Sequence, residues 1–155
     1  MLLSQQLPTG IGYSIELPPG WIVILDTTSG VLRAFLSGTV SHREAGTSVE
    51  SGDADLSLSA ISPGTTLETY AEARMRQHVR QGEPERFADV IGGHPAIGYT
   101  WTDGVLDIAT WFLEPLPSAA VRIDHSIPSF LDRARLGRDA RGEGSALLAT
   151  LRWVT

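Results

Sequence analysis

The stretch 92–115, GGHPAIGYTWTDGVLDIATWFLEP, constrains the fold most, because it reads as two long strands joined at an Asp-Gly corner. An Asp-Gly pair between alternating apolar residues is typical of a two-residue hairpin turn. A turn at Asp103 and Gly104 places Tyr99 opposite Ile108 on the neighbouring strand. The sequence therefore predicts a β-hairpin that forms part of an antiparallel sheet.

Both faces of this hairpin are rich in apolar residues. We predict that one face belongs to the core and carries Ile97, Tyr99, Trp101, Ile108 and Phe112. The opposite face carries Gly98, Ala109, Trp111 and Leu113, so a large indole stands beside small side chains. We predict that this second face binds a partner. The competing interpretation is that a helix or loop of the same chain covers Trp111, since large exposed apolar patches are uncommon.

Further strands and two helices surround the hairpin in the sequence. Alternation or continuous apolar runs predict strands over 11–17, 21–25, 31–36, 56–60, 85–91 and 119–127, while 37–53 reads as a long loop or a weak edge hairpin. A helix is expected after Thr65, with Glu68 completing a capping box and Gly82 marking the end. Ser145 is expected to cap a closing helix. This order predicts an α+β fold, an antiparallel β-sheet sandwich with flanking helices, in one domain spanning 1–155.

Composition excludes several classes of function. The chain has no Cys, which removes disulfides, thiolate catalysis and cysteine-ligated metals. A net charge of −6, with no Lys among the basic residues, disfavours nucleic acid and anionic membranes as partners. We find no membrane-spanning run and no secretory signal, so the expected location is the cytoplasm. We expect no metal and no cofactor, because the four His residues are far apart in sequence.

The run Asp124-His125-Ser126 contains the residue types of a hydrolytic triad. Adjacent residues of a strand point to opposite faces, so His125 cannot share a face with both neighbours. We therefore do not predict hydrolysis. The alternative to partner binding is a small-molecule-binding or enzymatic domain with a pocket near Tyr99, Trp101 and His125.

Four stretches carry a resemblance that spans nearly the whole chain: YSIELPPGW, TLETYAEARMRQHV, IGGHPAIGYTW and ALLATLRWV. With them the chain resembles the PsbP-like superfamily, including the bacterial DcrB-like proteins. The resemblance implies a sheet sandwich with flanking helices that binds without catalysis. Some relatives assist photosystem assembly, some are envelope lipoproteins, and some shield apolar segments of secreted effectors. The chain departs from the lipoprotein members because it lacks a signal and a lipidation cysteine.

We therefore expect a non-enzymatic protein-binding domain of adaptor or chaperone type. The expected partner is another protein, with an apolar segment of a secreted effector as one candidate. Self-association into a homodimer through the same sheet face is a further possibility.

Overall fold

The computed structural model describes residues 1–25, 31–36, 40–44, 47–51, 54–79, 83–102, 106–128 and 139–154. The strands are β1 (Leu2–Gln6), β2 (Gly12–Glu16), β3 (Trp21–Leu25), β4 (Leu32–Leu36), β5 (Val40–Glu44), β6 (Thr47–Ser51), β7 (Ala54–Ile61), β8 (Glu85–Ile91), β9 (His94–Thr102), β10 (Leu106–Leu116), β11 (Ala119–Pro128) and β12 (Arg152–Val154). The helices are α1 (Leu67–Gln77) and α2 (Ala140–Leu148).

The strands form a large antiparallel sheet and two small ones. The large sheet has the order β3-β4-β7-β11-β10-β9-β8, and each neighbouring pair is antiparallel. The second sheet has the order β1-β2-β12, and β5 pairs with β6 separately. The α+β antiparallel fold expected from the sequence is confirmed. Of the stretch 37–53, the described residues 40–44 and 47–51 pair as two antiparallel strands, in a sheet of their own rather than at the edge of the large sheet.

One face of the large sheet, which we call the inner face, packs against the β1-β2-β12 sheet and α2. Alternation explains the contribution of β2, because Tyr13 and Ile15 are buried while Glu16 is exposed. Both faces of the hairpin β9-β10 lie inside the protein, since Trp111 belongs to the inner core and Phe112 to a smaller core on the other side.

Helix α1 covers part of the opposite face, which we call the outer face. Ala71 of the helix packs with Tyr99 and Phe112, and the ring of Tyr70 meets that of Phe112 edge-on at 5.4 Å. The helix is capped one residue later than predicted, because the Thr66 hydroxyl accepts from the Thr69 amide at 3.1 Å. The predicted stop at residue 82 lies outside the described residues.

The closing helix differs from the prediction. Asp139 caps α2, accepting from the Arg141 amide at 3.1 Å, and Ser145 lies inside the helix. The helix ends at Leu148, and residues 152–154 form β12 instead of a further turn. Tertiary contacts decide this outcome: β12 completes the small sheet beside β2, and the indole of Trp153 donates to the Ile91 carbonyl at 3.1 Å.

The hairpin has a different register from the predicted one. Tyr99 pairs with Thr110 rather than with Ile108, and Thr102 pairs with Asp107, so a two-residue turn is wrong. The register differs by two residues along the partner strand. Because side chains alternate with a period of two, a two-residue difference leaves every side chain on its predicted face.

Candidate functional site

The sheet face predicted to bind a partner is sealed inside the protein. Trp111, Ala109 and Leu113 are 0% exposed, and Gly98 is buried as well. The prediction of an open apolar face is therefore wrong. The competing interpretation, that the chain itself covers Trp111, is the one the structure bears out.

Side chains of this same chain fill the space beside Trp111. The ring of Phe87 lies over Gly98 and meets the Trp111 ring edge-on at 5.8 Å. Gly144 of α2 approaches so closely that a Cβ there would lie 2.5 Å from Cη2 of the indole. The small residues do receive a ring and a helix, as their pattern indicates, but both belong to the chain itself.

A carboxylate joins the buried indole to α2. Trp111 Nε1 donates to Asp89 Oδ2 at 3.1 Å, and the Ser145 hydroxyl donates to the same oxygen at 3.1 Å. Asp89 lies on β8, so three elements meet at this one atom. The arrangement holds α2 on the inner face and satisfies a donor that burial would otherwise leave unpaired.

The pocket proposed near Tyr99, Trp101 and His125 does not exist as a unit. Tyr99 and Trp101 lie on the outer face, whereas His125 is 0% exposed on the inner face. Glu143 Oε1 lies 3.6 Å from His125 Nε2, beyond hydrogen-bond distance, and neither ring nitrogen has a hydrogen-bond partner among the described residues. His125 is also separated from the carboxylate of Asp124, which points to the other face, so no triad forms.

Tyr99 and Trp101 instead belong to a polar cluster beneath the end of α1. The His78 ring stacks on Trp101 with centroids 3.7 Å apart, and Trp101 Nε1 donates to the Thr110 hydroxyl at 3.0 Å. That hydroxyl donates to Asp124 Oδ1 at 2.6 Å, and Arg122 Nε donates to Asp124 Oδ2 at 2.8 Å. Trp101, Thr110, Asp124 and Arg122 satisfy one another, which suits a structural role better than a reactive one. The Tyr99 hydroxyl has no hydrogen-bond partner among the described residues.

Burial shapes the protonation of this cluster. Burial lowers the pKa of His78, and the positive charge of Arg122 lowers it further. Burial also raises the pKa of the Tyr99 hydroxyl to about 12. Both groups are therefore neutral near pH 7, and neither shift favours a general acid or base at that pH.

A polar cavity of about 490 Å³ opens where β8, β9 and β10 approach the start of α2. Its lining includes Glu83, Glu85, Thr100, Trp101, Thr102, Asp107, Ile108, Asp139, Ala140 and Arg141. Two of the charged groups have structural roles: Asp139 caps α2, and the Arg141 guanidinium lies 4.1 Å from the centre of the Phe87 ring. Across the described residues, no three His, Asp or Glu side chains are grouped as metal ligands.

A second concavity, which we call the α2 groove, has a mostly apolar lining and measures about 280 Å³. It runs between α2 and the start of β3, and its lining is Glu16, Pro18, Trp21, Leu36, Glu143, Ala146, Leu147 and Thr150. Gly20 turns the chain there with a φ of +93°, and Trp21 then pairs with Leu36 across β3-β4. The run PPGW carries the local signal for this site, but the helix that forms the other wall begins over 100 residues later.

The two edge strands of the large sheet differ in chemistry. Strand β3, WIVIL, has no charged residue, and Ile22 and Ile24 are 45% and 51% exposed on the outer face. Strand β8, ERFADVI, carries Glu85, Arg86 and Asp89. Charged residues on an edge strand discourage pairing with another chain, so β8 has a protection that β3 lacks.

This architecture, a seven-stranded antiparallel sheet with one helix on each face, is an α+β fold shared with several solved structures. Ran-binding protein Mog1p of Saccharomyces cerevisiae matches with a TM-score of 0.58 at 11% identity, covering 98% of this chain and 95% of Mog1p. LpqN of Mycobacterium tuberculosis, involved in cell envelope biogenesis, matches with a TM-score of 0.56 at 11% identity, covering 100% of this chain and 91% of LpqN.

A third solved structure, from Bacteroides thetaiotaomicron, has a TM-score of 0.51 at 14% identity. The match covers 92% of this chain but 45% of that protein, so this chain spans less than half of its length. No protein-family model matches the sequence, and a search of curated proteins finds no significant match. These likenesses establish the fold, and the DcrB-like part of the sequence resemblance stays a prediction.

Neither α1 nor α2, nor any other helical stretch in the described ranges, has the length and apolar character needed to cross a membrane.

Proposed function

We propose that residues 1–155 form one non-catalytic, protein-binding domain that takes an apolar segment of another protein into the α2 groove. The observation that carries this proposal is the groove itself. Its floor and walls are contributed by Trp21, Leu36 and Leu147, with Pro18 and Ala146 beside them. Aromatic and aliphatic side chains around a concave surface are typical of the central part of a protein interface.

The groove fits an apolar segment better than it fits a small polar substrate. Binding sites for polar ligands place several polar groups around the ligand, whereas here Glu16, Glu143 and Thr150 stand among apolar side chains. The polar cluster of Thr110, Arg122 and Asp124 on the outer face is engaged in hydrogen bonds and an ion pair within the protein. The support is therefore for binding rather than catalysis.

The fold neighbours add support of a general kind. Mog1p is a Ran-binding protein, so one member of this fold acts by binding another protein. At 11% identity this likeness does not transfer the partner. A secreted effector as the source of the apolar segment and the cytoplasm as the location stay predictions from the sequence.

Ala146 provides a test, because it is exposed on α2 and lines the groove. The photoreactive residue p-benzoylphenylalanine, placed at position 146 and activated in cells of the source organism, should crosslink to a partner. Sequencing of the crosslinked peptide should identify an apolar segment. Position 149 is the matched control, because Ala149 is exposed at the end of the same helix and does not line the groove.

The variant Ala146→Arg provides the second arm, because an arginine there obstructs the groove without altering the core. It should lower recovery of the partner at least tenfold, whereas Ala149→Arg should leave recovery unchanged. Equal crosslinking from positions 146 and 149, or equal recovery with both arginine variants, would refute the groove as the binding site.

A further inference from the structure

We infer that the free edge of β3 pairs antiparallel with β3 of a second copy of this chain, joining two seven-stranded sheets into one. The β3 edge stands at the end of the sheet order, and within the described residues it pairs with β4 alone. Alternate residues of such a strand present main-chain N–H and C=O groups to the side. A second strand is the partner that satisfies these groups in register.

Symmetry and charge indicate that the partner of the β3 edge is a second copy of the chain. An antiparallel strand pair has a two-fold axis between its strands, so any edge strand is complementary in hydrogen bonding to a copy of itself. With Val23 on the axis, Ile22 of one copy lies opposite Ile24 of the other. Four partly exposed isoleucine side chains then become neighbours on one face.

Charge selects β3 for this contact. The chain has a net charge of −6, so two copies repel each other over most of their surfaces. Strand β3 has no charge to oppose its own copy. The nearest charged cross-strand neighbour, Arg33, pairs with Ile24 and is already neutralised by Asp55, with Nη2 2.7 Å from Oδ2.

The opposite edge shows what a protected strand looks like in the same sheet. Val90 on β8 is 66% exposed, more than either isoleucine, but Asp89 lies beside it and its carboxylate accepts from the Val90 amide at 2.8 Å. The difference between the edges therefore lies in the surrounding charge and main-chain hydrogen bonding rather than in apolar exposure alone.

Light scattering coupled to gel filtration measures the mass of the wild-type protein over a range of concentrations. We expect a monomer–dimer equilibrium. The variant Ile24→Lys places two like charges beside the axis, as diagonal neighbours across the strand pair, and should weaken dimerisation at least tenfold. The variant Val90→Lys is the control, with the same charge added at an exposed aliphatic residue of the other edge. Circular dichroism of both variants verifies that the fold is intact.

The absence of cysteine allows a test of register. In a mixture of Ile22→Cys and Ile24→Cys proteins under mild oxidation, the disulfide between different variants should form in preference to either homodisulfide, because opposed Cα atoms of an antiparallel pair are about 5 Å apart. Val90→Cys protein should form no dimer above background. Should Ile24→Lys fail to fold, this cysteine experiment still decides the question.

Two results would overturn the inference. One is a wild-type protein that stays monomeric to millimolar concentration. The other is a dimer that Ile24→Lys and Val90→Lys affect equally. The inference does not depend on the α2 groove, because Ala146→Arg should leave the dimer mass unchanged, so either proposal can fail alone.

Discussion

The ring of Phe87 occupies the space that a side chain at position 98 would need. A Cβ on Gly98 would lie 2.9 Å from Cδ2 of Phe87 and closer still to Cε2 and Cζ. The ring cannot easily withdraw, because Trp111 meets it edge-on and the Arg141 guanidinium lies over it.

Gly98→Ala should therefore destabilise the protein by about 1–3 kcal/mol, the usual cost of overpacking a core. Urea unfolding measures the effect. The double variant Phe87→Leu/Gly98→Ala should lose less than the sum of the two single losses, because the smaller side chain removes the clash. Additive losses would mean that the contact between these two residues is not the cause.

Asp89 should matter to stability through the two side-chain donors that share its Oδ2. Asp89→Ala leaves the buried Nε1 of Trp111 without an acceptor and should cost about 1–3 kcal/mol in urea unfolding. Asp89→Asn keeps an acceptor oxygen and should cost less. Ser145→Ala removes the other donor, and its effect should largely vanish when Asp89 is already alanine. Independent effects would contradict a shared role.

For the buried hydroxyl of Tyr99 we expect a loss of folding stability at high pH. Burial raises the pKa of its hydroxyl from 10.0 to about 12, so the folded state keeps a proton that the unfolded chain releases. Its contribution is fully present below pH 10.0 and is lost as pH rises towards about 12. The thermal midpoint of Tyr99→Phe should fall less than that of the wild type across this window. If the thermal midpoints of the wild type and of Tyr99→Phe fall equally over this pH range, the prediction is contradicted. Both proteins retain Tyr13, whose pKa burial also raises, so its alkaline sensitivity is common to the two.

For His78 we expect a loss of folding stability at low pH, because its pKa is lowered in the folded protein. Burial, then Arg122, lower its pKa below the ordinary 6.5, so the folded state binds its proton less readily than the unfolded chain. Stability from the neutral ring is present above pH 6.5 and is lost as pH falls below it. An NMR titration of the ring should give a lower midpoint in the folded protein than in urea. A midpoint equal to or higher than the one in urea would contradict the lowered pKa that we expect for the stacked, partly buried ring.

The alternation of apolar residues predicted most of the sheet. Tyr13 and Ile15 are buried as their spacing indicates, and the side chains of residues 96–101 and 106–113 lie on their predicted faces in spite of the changed register. Alternation does not show which of two apolar faces of a strand is exposed to solvent. That depends on Gly144 and the ring of Phe87, which reach Trp111 from α2 and β8.

The end of the chain shows a second limit. Residues 145–154 have helical spacing, but β2 offers a free edge there, and Trp153 finds an acceptor in the Ile91 carbonyl. Such long-range pairing overrides local preference. The α2 groove was missed for the same reason, because its two walls are distant in sequence and neither has a binding motif of its own.

The pairing of Trp153 with Tyr13 has a consequence for the chain while it is being made. The ribosome releases residue 13 well before residue 153 is synthesised, so the apolar core that β12 helps to close stays uncovered during that interval. Contacts of such wide separation also slow folding. The nascent chain is therefore more exposed to aggregation than the folded protein until β12 has paired with β2.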